Sequence, residues 1–282
     1  MSLMHRVASA PFLLGFLILT SPIVSPQDPA PREKVAEGEY SEWQDGQPLK
    51  DTGLTWTIWR TKDGLEVEAT LPPDKSAFTA AALAGPGFRA TPEFKKEMQN
   101  SSVTRSIDVR LTKLLVLERM VLEGVSLGDL KQVRVADCQV SEKEISCQGG
   151  EGRLHVKNEG PLQLVYSSSF PFPLSFTPIL KNNKPPQNQG TPIKLAMLEE
   201  VKHKMQLTEV SGQLRAEGAE KLSIGEHIFD TDKYLLVLTT NAGERKITLW
   251  TRNHETVFAM EDSLLGPGLR IQLNQYKRYS DF

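Results

Sequence analysis

Both cysteines of this 282-residue chain lie in "DCQVSEKEISC", Asp137 to Cys147. Three chemistries are open to such a pair: a disulfide, a metal site, or two reduced, buried thiols in a cytosolic protein. A metal centre would need more ligands, yet there is no second cysteine pair and no histidine nearby. Antiparallel pairing around the polar turn Ser141–Glu144 sets residues opposite one another when their numbers sum to 285. Cys138 then faces Cys147, Gln139 faces Ser146 and Val140 faces Ile145. A period of two puts the cysteines, Val140 and Ile145 on one face, with Gln139 and Ser146 on the other. Directly opposed residues meet the Cα separation of about 5.5–6 Å that a disulfide needs. The pattern favours a structural disulfide Cys138–Cys147, worth about 2–3 kcal/mol for so short a loop in the chain-entropy model.

Other reactive residues are less well placed. "GVSLG", Gly124 to Gly128, matches the nucleophile-elbow pattern with Ser126 as the serine. That motif requires a long helix after the turn, and here a strand pattern resumes at Val133. A loop is the better reading, and hydrolase chemistry on Ser126 is the remote alternative. His227 lies in "EHIFDTD" among Glu226, Asp230 and Asp232, but the spacing matches no zinc or calcium loop. His155, His203 and His254 are scattered. There is no HExxH, P-loop or GxGxxG, so no metal, cofactor or catalytic set is expected. Asn100 opens an NSS glycosylation sequon by pattern alone. Trp56 and Trp59 beside Arg60 and Lys62 suggest either a stacking platform or, as we prefer, a core Trp56 with a partly wet Trp59 on the opposite face.

The elements that must hold these residues begin with an apolar leader. Arg6 precedes Phe12, Leu13, Leu14, Phe16, Leu17, Ile18 and Leu19, which reads as a secretory signal over residues 1–26. Proline follows each small residue at which it could be cut, Ser21, Ser25 and Ala30, so an uncleaved N-terminal anchor is the alternative. Either version exports the rest and agrees with oxidised cysteines. Membrane contact is expected only through an uncleaved leader. The net charge of −2 gives no basic footprint for nucleic acid.

Residues 27–36 read as a tether, 37–180 as a β-rich part with the cystine hairpin, 181–192 as a linker and 193–282 as a β-meander. Alternatively, 37–282 forms one continuous β domain. "GLTWTIW" and "LEVEATL" alternate around Lys62-Asp63-Gly64, where glycine suits a positive-φ turn. Val103–Leu111 alternates, and Leu114–Leu122 fits either strand or helix. Ser76–Leu83 and Thr91–Met98 carry the few helix signals. "KYLLVLTTNAGERKITLW", "TVFAMED" and "GLRIQLNQYKRY" close the chain as strands. "TIWRTKDGLEVEA" and "TLWTRNHETVFAM" read as a short internal repeat or as two similar hairpins. The fold class is mostly β: an antiparallel curved sheet or half-barrel meander with few short helices.

"FPFPLSFTPIL", Phe170 to Leu180, combines prolines with a strongly apolar set. The prolines predict an extended edge segment or lid, with Phe170, Phe172 and Phe176 as lid residues. Such a segment either covers an open sheet end or binds something.

The leader, "GEYSEWQDGQPL", the cystine hairpin, "FPFPL" and the "KITLWTRNHETVFAMED…LRIQLNQY" ending together resemble uncharacterised bacterial exported β-proteins. More distantly, the strand–Trp–strand ending resembles envelope proteins of the lipoprotein-carrier type, with a curved half-barrel sheet. The resemblance implies an apolar concave side and carries over no functional residue. The expected role is binding rather than catalysis: an exported, periplasmic or extracellular protein taking a lipid or acyl chain. A structural or adaptor role toward an envelope protein is the second expectation.

Overall fold

Alternation of apolar and polar side chains recurs along the chain, and among the described residues it makes sixteen strands. The computed structural model describes residues 31–49, 53–71, 102–126, 131–149, 152–158, 162–167, 172–183, 185, 189–201, 204–241, 243–253 and 256–281. The leader, the two helix candidates Ser76–Leu83 and Thr91–Met98, and Asn100, Phe170, His203 and His254 lie outside them.

The first half holds β1 (Glu33–Gln44), β2 (Gln47–Pro48), β3 (Leu54–Arg60), β4 (Gly64–Thr70), β5 (Ser102–Thr112), β6 (Leu117–Ser126), β7 (Gln132–Val140), β8 (Glu144–Gly149) and β9 (Gly152–Lys157). Next come β10 (Gln163–Ser167), a 3-10 turn (Pro173–Phe176) and the helix α1 (Thr177–Asn182). The second half holds β11 (Thr191–Val201), β12 (Lys204–Ile224), β13 (His227–Thr240), β14 (Gly243–Arg252), β15 (Thr256–Asp262) and β16 (Leu269–Arg278).

All belong to one sheet, ordered β10-β11-β12-β13-β14-β15-β16-β1-β3-β4-β5-β6-β7-β8-β9, with β2 beside β1. Every pairing is antiparallel except β10 with β11. The fold is therefore the mostly β, antiparallel class that the alternation predicts. The sheet is open rather than a closed barrel: β9 packs against β12 without pairing to it.

The two meanders are joined where β1 pairs with β16, as at Tyr40↔Leu273 and Trp43↔Arg270. One contiguous core runs through both. Tyr40, Trp56, Tyr276, Phe258 and Phe229 form a chain of ring contacts with centroids 6.1, 6.2, 5.2 and 5.2 Å apart. Trp56 lies so close over Gly38 that a Cβ there would stand 2.6 Å from the indole. The Tyr40 hydroxyl donates to the Val257 carbonyl, and burial pushes its pKa well above the ordinary tyrosine value.

Four local expectations need correction. Strand β1 begins at Glu33, inside the segment read as a tether, because Val35 and Ala36 are fully buried. Lys113 and Leu114 form a turn, and the strand starts at Leu117. Gly64 does not have a positive φ. It is glycine because the β5 backbone passes so near that a Cβ would lie 2.0 Å from the Leu111 carbonyl oxygen. From Pro173 onward the segment Phe170–Leu180 is helical rather than extended, and Phe172 alone of its described residues keeps an extended backbone. The same prolines that bar a central strand, Pro173 and Pro178, occupy first-turn positions, where a missing N–H costs nothing.

Candidate functional site

Three hairpin turns of the first meander come together at one rim of the sheet, and a Ser or Thr hydroxyl fastens each of them. Thr61 Oγ1 accepts from Gly64 N (3.2 Å) while Thr61 N donates to the Gly64 carbonyl (2.9 Å). Thr112 Oγ1 accepts from the backbone N–H of Leu114 (3.2 Å) and of Val116 (3.1 Å). Ser141 Oγ accepts from Glu144 N (3.1 Å). These are side-chain mimics of a backbone turn, which is why short hydroxyl residues stand at the strand ends.

Asn158 closes the rim. Its amide donates to the Ser141 carbonyl (2.6 Å) and its oxygen accepts from Leu162 N (3.1 Å), tying the β7–β8 turn to the start of β10. The end of α1 forms the remaining wall, with Asn183 donating from both backbone and side chain to the Ile179 carbonyl at 2.9 Å.

Within this ring lies a cleft of about 1340 Å³. Its apolar lining comes from Leu65, Leu115, Leu117, Val140 and Leu162, with Leu114 and Val116 at the mouth. The charged residues at its border are Arg60, Lys113, Glu118, Glu142 and Lys181. Arg60 is already engaged by Glu33 (3.0 Å) and by the Asp281 carbonyl. The arrangement is a greasy pocket with a rim of mixed sign. Among the described residues, no three His, Cys, Asp or Glu side chains are placed to hold a metal.

Cys138 and Cys147 are directly opposed in the β7–β8 ladder, with Gln139 against Ser146 and Val140 against Ile145. Their sulfurs are 2.10 Å apart and both residues are buried. The pair does not line the cleft, but it fixes the strand that brings Val140 into it. Phe172 and Phe176 are buried in the core, where the 3-10 turn packs on β15 and β10. They anchor the segment, and only its far end, Lys181–Asn183, reaches the cleft.

Ser126 ends β6, and β7 follows at Gln132, too soon for the helix an elbow requires. His227 is exposed and meets the edge of Phe229 at 6.3 Å. Trp56 is core, whereas Trp59 is half-buried with Arg32 stacked on it at 4.3 Å, so its face is occupied.

Sequence reasoning missed one buried polar cluster. Arg245 is 3 % exposed, and it donates to Asp262 (3.0 and 3.1 Å), Glu199 (2.8 Å) and Ser167 Oγ (2.6 Å). It ties β10, β11, β14 and β15 together. The signal was present, since Arg245 shares an alternating face with Ile247 and Leu249, where an unpaired charge would be costly.

No family model and no curated protein matches the chain. Among solved structures it is similar to a DUF1089 family protein from Pseudomonas aeruginosa, at 10% identity and a TM-score of 0.35. That likeness covers 90% of this chain and 95% of the other. At such a distance it carries no argument for fold or site.

Proposed function

We propose that the protein is an exported binding protein that takes a lipid or acyl chain in the cleft at the hairpin rim. One observation carries the reading: a cavity of about 1340 Å³ whose lining is set by Leu65, Leu115, Leu117, Val140 and Leu162. That volume exceeds the roughly 300–1,000 Å³ of ordinary small-molecule pockets and suits a long apolar ligand. The cystine is compatible with an oxidising compartment outside the cytosol. Among the described residues, no helix is long and apolar enough to cross a membrane. The apolar side chains of the lining support binding of an apolar ligand.

The test is binding of a fluorescent fatty-acid analogue to delipidated protein. Wild type binds, and Val140→Asp weakens binding at least about tenfold, since a carboxylate in an apolar wall costs several kcal/mol unless neutralised. Val140 is half-buried at a strand end, so the fold tolerates the change. Absence of binding by wild type, or equal binding by the variant, rejects the proposal. Intact-mass spectrometry of protein from its host reports a retained ligand and the thiol state together.

A further inference from the structure

The turn between β5 and β6 combines three features that rarely meet by accident. Leu114 is 78% exposed and Val116 is 38% exposed, and both stand at the mouth of the cleft. Between them Leu115 takes a left-handed backbone, φ 60°, unusual for a residue with a Cβ. That conformation buries Leu115 to 6 % exposure and turns Leu114 outward. The Thr112 hydroxyl holds two N–H groups of the same turn, so the apolar tip is built in rather than loosely exposed. Backbone strain of this kind concentrates at working sites. Among the described residues, the other strongly exposed aliphatics are Ile228, at the start of β13, and Leu264, in the turn after β15, and neither lines the cleft.

We propose that this tip is where the protein touches a phospholipid bilayer, so that an acyl chain passes over Leu114 and Val116 into the cleft. The inference rests on the binding role proposed above and names its lipid source. Two adjacent side chains are far too little for a protein interface, which takes roughly 800 Å² from each partner. They suit shallow insertion at the headgroup boundary, where apolar area and nearby cations add. Exposed Lys113 adjoins the tip, and the exposed Glu118 and Glu142 line the same cleft, so the local charge is mixed. Apolar insertion therefore leads, with anionic lipid adding modestly.

The experiment uses the full chain with phosphatidylcholine vesicles, with and without phosphatidylglycerol. In Leu114→Trp, vesicles produce an indole blue shift, and quenching by brominated lipid, beyond that of the native tryptophans. Leu114→Asp combined with Val116→Asp lowers the vesicle partition coefficient roughly tenfold, whereas Ile228→Asp, at an exposed aliphatic that does not line the cleft, leaves it unchanged. The introduced tryptophan reports contact at this turn whatever the leader does. No added shift at position 114, or full partitioning of the aspartate pair, overturns the proposal while the cleft reading stands. Loss of analogue binding in wild type removes the cleft reading instead.

Discussion

Trp59 in β3 and Trp250 in β14 each close a Thr–aliphatic–Trp run, and each is directly opposed by a lysine on a neighbouring strand, Lys34 and Lys233. Each lysine ammonium lies 5.3 Å from the indole. An arginine stacks on each ring at 4.3 Å, Arg32 on Trp59 and Arg270 on Trp250. Each indole N–H donates to a glutamate at 2.9 Å, Glu68 in one case and Glu220 in the other. The surroundings differ. Trp250 sits deep within the second meander, with partners reaching in from β12 and β16, and is 1 % exposed. Trp59 is half-buried beneath Arg32, which precedes β1. The same contact set thus occurs once sheltered and once wet. Cation–aromatic contacts are worth about 0.5–1 kcal/mol when exposed and about 2 or more when desolvated, so the two sites contribute unequally.

The strongest way to break that comparison is to remove the rings. Trp250→Ala is expected to cost about 3–5 kcal/mol, as for other buried tryptophans, and Trp59→Ala about a third of that. Equal losses in urea denaturation would show that shelter does not matter.

A smaller effect separates the glutamates. The hydrogen bond from Trp250, followed by Lys233 and Arg270, holds the Glu220 carboxyl below its ordinary pKa despite an opposing burial effect. A depressed folded pKa stabilises the protein above the unfolded value of about 4.3, and that contribution is lost as pH falls through the folded pKa. Glu220→Gln should therefore lower stability by about 1 kcal/mol at neutral pH. It should also flatten the acid limb of a stability–pH curve. Glu220 is partly exposed, and that figure already allows for solvent screening.

The smallest effect is that of salt. Arg32 and Glu68 form an exposed pair, so 1 M NaCl should remove the ion-pair share of the cost of Arg32→Ala, at most about 0.5 kcal/mol, and leave the share that comes from stacking on Trp59. Arg270→Ala should keep most of its cost at that ionic strength, as its stacking partner is buried.

The sequence made some of this legible because period-two patterning is a local property. The 285 register of the cystine hairpin and the strands around Trp56 and Trp250 need only near neighbours. The helical form of Pro173–Leu180 was not legible, since its prolines suit an edge segment and a first helical turn equally. Gly64 was seen as special, but its reason lies in the β5 backbone, far along the chain. The cleft could not be read at all. Thr61, Thr112, Ser141, Asn158 and Lys181 become neighbours only through the strand order and the placing of α1, which no spacing encodes. The pairing of Arg245 with Asp262 was equally hidden, although an arginine on an apolar face announced that some partner must exist.

Strand β1 lies mid-sheet, yet one flank waits for β16. Ser41 and Asn274, 233 positions apart, are joined side chain to side chain across that seam. During synthesis, the first strand therefore emerges long before the segment that will seal it. Contacts at such separations are slow to form, and an unsealed strand invites pairing with the wrong chain. A ribosome must have delivered the chain through β16 before this architecture can be completed, and any helper that shields β1 meanwhile would act on that one uncovered border.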